Sequence, residues 1–296
     1  MSAIVVKNIS KENFREHLLS TIKRTAWPQV LSISLVGSFQ KKRPIRKVDD
    51  VDLVIVVPKL TSKEYLSLSK KFKQIAKKIT TPEIKVVIER RIAGIKPRRL
   101  KRKYIIQLHL LIYDSQKWKQ SFQKPSLFDW TNFNKLLYGN PLSSIKKVDR
   151  IDARGLAEDL QGKIFNALHP LKIERGKGYR IRLGKLEKTS TKVFKENTSE
   201  RVVHYILVSF LNYARYLNPK TPNEKNLLLK KAKRILPLKY QKILGETFFL
   251  KEKLKAGENI SKARIKKLLR DGADFMGYIL HQIKNDCEGM KAGICW

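Results

Sequence analysis

Asp50 and Asp52 stand one residue apart at the head of an apolar run, Asp50-Val51-Asp52-Leu53-Val54-Ile55. In an extended chain successive side chains alternate, so both carboxylates leave the strand on the same face. Two carboxylates a few ångström apart repel each other, and a site that keeps them together usually holds a divalent cation. Hard oxygen ligands suit Mg2+ or Mn2+. Upstream, a second apolar run climbs to Val36-Gly37-Ser38-Phe39. A Gly-Ser turn allows close backbone approach and offers N–H groups and a hydroxyl, donors that suit a phosphate chain. The plain alternative is a hairpin with a glycine turn and incidental acids. It leaves unexplained why so basic a chain sets Asp49, Asp50 and Asp52 against a strand.

The elements that must position these groups are legible on either side. Runs of Val, Ile and Leu bounded by Gly, Pro and charge predict two buried strands within Leu31–Pro58. Ahead of them, Phe14, Leu18, Leu19 and Ile22 form one stripe of a predicted helix over 11–25, ended by Trp27-Pro28. After them, Thr61-Ser62 caps a predicted helix to about Ile79, and Thr81-Pro82 breaks it. Strands are expected at Ile84–Glu89 and Tyr104–Tyr113. The segment 115–142 is rich in aromatic residues and reads as a linker glued to a core. From Asp149 the periodicity turns helical, with helices expected at 151–168, 199–217, 223–235, 238–255 and 261–286. Leu171–Phe194 interrupts this series with strand-like alternation, three glycines and many cations, and reads as a basic loop or hairpin.

Composition narrows the partners. The chain has 296 residues, with 64 Lys and Arg against 26 Asp and Glu, a formal net charge of +38. Self-repulsion on that scale opposes compaction and is expected where the partner is a polyanion. Nucleic acid is favoured over an anionic membrane surface or a general surplus of lysine. The densest cluster is Arg90, Arg91, Lys96, Arg98, Arg99, Lys101, Arg102 and Lys103, with no acid between them and Gly94 and Pro97 suggesting a long hairpin tip. Arginine supplies most of these charges, which favours bidentate phosphate contacts and marks the segment as a nucleic-acid clamp. No run reaches transmembrane length, and the N-terminus lacks the apolar core of a signal peptide. Two cysteines, Cys287 and Cys295, imply no disulfide framework and fit a reducing cytoplasm. Together with His281 they make a poor zinc signal.

An apolar strand, Gly-Ser, a spacer and then Asp-x-Asp on the next strand resembles the DNA polymerase β-like nucleotidyltransferase superfamily. Eleven residues separate Ser38 from Asp50 here. The resemblance implies an α+β fold with a polymerase β-like core of mixed sheet and flanking helices over residues 1–145, and the helical periodicity beyond it reads as a basic helical-bundle domain over 146–296. It implies an NTP substrate such as ATP, Mg2+ or Mn2+ held by Asp50 and Asp52, and a triphosphate cradle at Gly37 and Ser38. The reaction expected is transfer of a nucleoside monophosphate to an acceptor hydroxyl, on RNA or DNA given the charge.

The family also uses a third carboxylate on a later strand. That strand reads Ile105-Ile106-Gln107-Leu108-His109-Leu110, and neither residue of its polar face is an acid. His109 is the candidate to complete the catalytic set, as base or ligand. Asp114 and Glu89, at strand ends, are the other candidates. Two further readings stand beside transfer: a catalytically degenerate, nucleic-acid-binding version of the fold, and a nucleotide second-messenger synthase activated by nucleic acid.

Overall fold

The computed structural model describes residues 13–40, 50–82, 84–89, 104–121, 123–168, 173–182, 185–194 and 198–289. In chain order the elements begin with α1 (Phe14–Arg24), β1 (Ser32–Val36), a single 3-10 turn (Ser38–Gln40) and β2 (Asp50–Val57). Then come α2 (Ser62–Ile79), β3 (Ile84–Glu89), β4 (Tyr104–Asp114), α3 (Ser115–Gln120), α4 (Pro125–Asn132), β5 (Lys135–Gly139) and α5 (Leu142–Ile145). The chain continues through α6 (Ala153–Leu168), β6 (Ile173–Arg182), β7 (Lys185–Phe194), α7 (Thr198–Leu217), α8 (Lys225–Ile235), α9 (Leu238–Ala256) and α10 (Lys262–Gly289). The fold class is α+β, as expected: a mixed sheet with flanking helices, followed by a largely helical region.

The five-stranded sheet runs β3-β4-β2-β1-β5. β1 pairs antiparallel with β2 and β5, whereas β4 pairs parallel with both β2 and β3. The parallel pairing of β3 and β4 corrects the hairpin expected between them. Parallel neighbours cannot be joined by a hairpin tip and need a crossover connection. The connection itself, residues 90–103, lies outside the described residues.

One face of the sheet is packed throughout. Val51, Leu53, Ile55 and Val57 of β2 join Ile33, Leu35, Ile106 and Leu108 under α1 and α2. Burying each such side chain is worth about 1.5–3 kcal/mol. Trp27 wedges against Phe72 with ring centroids 4.9 Å apart, and its indole N–H donates to the Ile22 carbonyl at 3.0 Å, closing the end of α1. Thr61 caps α2 by accepting from the Glu64 N–H.

The opposite face changes along its length. Val54 and Val56 of β2 are fully buried on it, Asp52 is half-buried, and Asp50 is exposed. At the buried end Trp118 of α3 packs edge-on against Tyr113 and stacks with Trp130. Among the described residues this face is more open toward its other end, where the two aspartates emerge. The aromatic segment read as a linker thus contains short helices and an additional edge strand, β5, beside β1.

The chain separates into two compact units. The first comprises Met1–Ser121, Asp129–Lys147 and Ile173–Phe194; the second comprises Phe122–Phe128, Val148–Lys172 and Lys195–Trp296. Within the second, the short stretch before α4 is tied to α6. Asp152 accepts from the Gln123 N–H at 2.7 Å and caps Gly155, and Lys124 pairs with Glu158. A Cβ at Gly155 would meet the Gln123 carbonyl and the Lys124 Cα at 3.0 Å, so a larger residue would push this stretch back by a few tenths of an ångström. α9 is buried on several sides through Tyr240, Ile243, Leu244, Phe248 and Leu250, with Tyr240 packed on Phe275 and Tyr278 of α10. Burial first, then neighbouring ionisable groups, pushes the Tyr213 phenol up to about 12. The helices expected at 151–168, 199–217, 223–235, 238–255 and 261–286 match α6 to α10 within a few residues.

Candidate functional site

Strand register assembles the site. Asp52 lies opposite Val36, the last residue of β1, and opposite His109 in β4. Asp50, two residues earlier, lies opposite Gln107. Paired positions share a sheet face, so Asp50, Asp52, Gln107 and His109 belong to one face. Glu89, the last residue of β3, stands in register with His109 on its other side.

Gly37 follows β1 directly and adopts a φ of +74°, a conformation natural to glycine alone. A Cβ built there would fall 2.5 Å from Asp52 Oδ2. The carboxylate therefore occupies the space that any larger residue would fill, and the Gly-Ser turn and the aspartate are immediate neighbours. The 3-10 turn Ser38–Gln40 continues from Gly37. Arg15 of α1 fixes that turn: its guanidinium donates to the Gln40 carbonyl and lies 5.4 Å from the centre of the buried Phe39 ring. Gln40 in turn donates to the Phe133 carbonyl at 2.7 Å. Arg15 is a positioning residue that the sequence reading missed. Only its place on α1 beside a helical stripe was visible, not its reach across the fold.

His109 Nδ1 and Asp52 Oδ1 are 2.9 Å apart, with 16% of the histidine side chain and 25% of the aspartate side chain exposed. A carboxylate oxygen accepts, so with Asp52 in that form the imidazole donates this bond from Nδ1. Asp52 thus has one oxygen on His109 and the other against Gly37.

Asp114, named as an alternative third carboxylate, is far from this place. It pairs in register with Val57, at the opposite end of the strands, and caps α3 by accepting from the Gln116 and Lys117 N–H groups. It also accepts from the Leu60 N–H at 3.0 Å, and this bond leads the causes that hold its carboxyl below the usual range. Among the described residues, no group of three or more His, Cys, Asp or Glu side chains has the geometry of a metal site. The donors present still fit the family's ion in part. Asp50 and Asp52 present hard oxygen donors on one partly exposed face, while an imidazole stands in register beside Asp52. The eight cations from Arg90 to Lys103 lie outside the described residues.

Among the described residues, no helix is long and apolar enough to cross a membrane. No curated protein matches the chain. A solved nucleotidyltransferase-like protein from Exiguobacterium sibiricum 255-15 is 12% identical to it, covering 92% of this chain and 75% of that one with a TM-score of 0.28. Residues 18–111 match the family model of the nucleotidyltransferase domain, a span that runs from α1 through β4 and takes in Gly37, Asp50, Asp52 and His109. With the Gly-Ser turn set against Asp52 across β1 and β2, this part of the chain is a nucleotidyltransferase domain of the DNA polymerase β-like superfamily.

Proposed function

We propose that the protein transfers a nucleoside monophosphate from an NTP to an acceptor hydroxyl on RNA or DNA. In this reading residues 1–145 form the catalytic domain and 146–296 a basic helical domain. One observation carries it: the Asp52 carboxylate is held between Gly37 and His109, with Asp50 on the same face, inside the span that matches the nucleotidyltransferase family. The net charge of +38 favours a nucleic-acid acceptor over a small one. Arg90, Arg91, Lys96, Arg98, Arg99, Lys101, Arg102 and Lys103 would contact its phosphates.

Asp50 and Asp52 would hold Mg2+ or Mn2+, which when bound neutralises the triphosphate and polarises the α-phosphate. The backbone after Gly37 and the Ser38 residue would cradle the β- and γ-phosphates. His109 would take the proton of the acceptor hydroxyl on Nε2, while its Nδ1–H bond to Asp52 fixes the ring. The acceptor oxygen then bonds to the α-phosphorus as the bond to the pyrophosphate oxygen breaks. Pyrophosphate leaves, and the acceptor carries one added NMP.

A second reading has its own observation. Asp52 Oδ1 is already engaged by an imidazole where the family places an acid, which would suit a domain that binds without turnover. Label transfer from each of the four α-labelled NTPs, with Mg2+ or Mn2+ and with or without total tRNA, separates the two. Transfer that requires a divalent ion and an RNA acceptor is expected. Its absence under every condition would leave the binding reading.

A further inference from the structure

β6 and β7 form a separate antiparallel ribbon of ten residues per strand, about 30 Å long at the usual rise. Its register pairs Ile173 with Phe194, Arg175 with Lys192, Lys177 with Ser190, Tyr179 with Lys188, and Ile181 with Leu186. These ten residues share one face, because paired positions lie on the same side and the period along each strand is two. The intervening pairs make the other face: Glu174 with Val193, Gly176 with Thr191, Gly178 with Thr189, Arg180 with Glu187, and Arg182 with Lys185.

The two faces differ in kind. The first carries four cations and no acid, with Tyr179 among them and an apolar pair at each end. The second carries three cations and both of the ribbon's glutamates, and its Arg180 stands directly opposite Glu187. Opposite charges across a ladder stabilise it, and like charges directly opposite destabilise it. The Arg175–Lys192 pair is such a like-charge pair on the acid-free face, one rung in from the end opposite the tip, and a polyanion lying over it would remove the repulsion. The second face has one like-charge pair too, Arg182–Lys185, but at its tip.

We infer that the face of Arg175, Lys177, Tyr179, Lys188 and Lys192 is a docking surface for single-stranded nucleic acid, the cations taking phosphates and Tyr179 a base. Aromatic side chains interleaved with cations are the means by which proteins hold unpaired strands without reading sequence. The inference rests on the nucleic-acid acceptor proposed above and names a second, separate place where that strand is held.

The test is binding of a fluorescent single-stranded oligonucleotide to the full chain at several salt concentrations, without NTP, so that an inactive catalytic site leaves the result untouched. Removing four phosphate contacts should flatten the slope of log K against log[salt] by about 2–3 units at roughly 0.7 per contact. Arg175→Thr, Lys177→Thr, Lys188→Thr and Lys192→Thr together should do this. Arg180→Thr, Arg182→Thr and Lys185→Thr together, on the other face, should change the slope by less than about one unit. Tyr179→Val should weaken binding about tenfold at an unchanged slope. If the quadruple variant loses the ribbon, a charge-preserving set (Arg175→Lys, Lys177→Arg, Lys188→Arg and Lys192→Arg) decides, and it must keep the wild-type slope. Equal effects from the two faces, a charge-preserving set that loses the slope, or loss of binding to phosphatidylserine vesicles with oligonucleotide binding intact would each overturn the inference.

Discussion

Two aspartates stand at opposite ends of the same parallel strand pair, and their surroundings differ in kind. Asp114 closes the β4 end, where backbone N–H groups of Leu60, Gln116 and Lys117 converge on it at 3.0, 2.9 and 3.4 Å. Asp52 opens the other end, where an imidazole and the bare Cα of a glycine adjoin it. Backbone amides cannot titrate and do not move, so a carboxylate that gathers them fastens a turn to a helix. A carboxylate held by one ionisable side chain beside a glycine gap can exchange its partner for a divalent cation. The comparison shows that strand position alone does not assign a role to an acid; the kind of donor around it does.

The comparison breaks most visibly if Asp52 proves dispensable. Asp52→Asn or Asp50→Asn keeps the shape and removes the charge, and each should lower NMP transfer at least about a thousandfold, the scale lost with a principal electrostatic group. Thermal unfolding of either variant should stay close to wild type. A large loss of stability with transfer retained would make Asp52 a second Asp114.

Gly37→Ala probes the gap from the other side. The left-handed backbone costs about 1–3 kcal/mol for a residue with a side chain. The new methyl would meet Asp52 Oδ2 as well. Both effects should lower the melting temperature, and transfer should fall about ten- to a hundredfold through displacement of Asp52. Kinetics and a melting curve on the same preparation check this.

The smallest effect belongs to Asp114→Asn. Asparagine keeps one acceptor for the cap but loses the charge and the second oxygen that takes the Leu60 N–H, which should cost about 1 kcal/mol at neutral pH with transfer unchanged. The folded pKa of Asp114 is depressed, so its stabilisation is complete above the unfolded value of roughly 4 and fades as pH falls through the folded value. Denaturant melts should therefore show wild type and variant converging as the pH falls through the depressed folded value. A gap that persists in strong acid would contradict the backbone account of Asp114.

The alternation of Asp50-Val51-Asp52 and the Gly-Ser turn made the two site strands legible, because both strands are buried and sharply bounded. The helices from α6 onward were legible through apolar spacing and their proline stops. Pairing was not. The parallel partnership of β3 and β4 depends on contacts distant in sequence, and nothing within Arg90–Lys103 distinguishes a crossover from a hairpin tip. β5 is a five-residue edge strand, Lys-Leu-Leu-Tyr-Gly, with little alternation, so its strand character comes from its neighbour β1. The candidate site divides the same way. Its residues were visible, whereas the Asp52–His109 bond, the filling of the Gly37 gap and the reach of Arg15 needed register and packing.

His109 decides whether this end of the sheet is a complete catalytic site. The most direct measurement compares NMP-transfer rates of wild type, His109→Ala and His109→Asp under one NTP and one metal. His109→Ala should lose about a hundredfold to ten-thousandfold, the usual contribution of a positioned acid–base group. His109→Asp, which restores an acid beside Asp52, should recover much of that loss. Equal, wild-type rates for all three proteins would contradict a role for His109 in transfer and leave its bond to Asp52 a purely structural one.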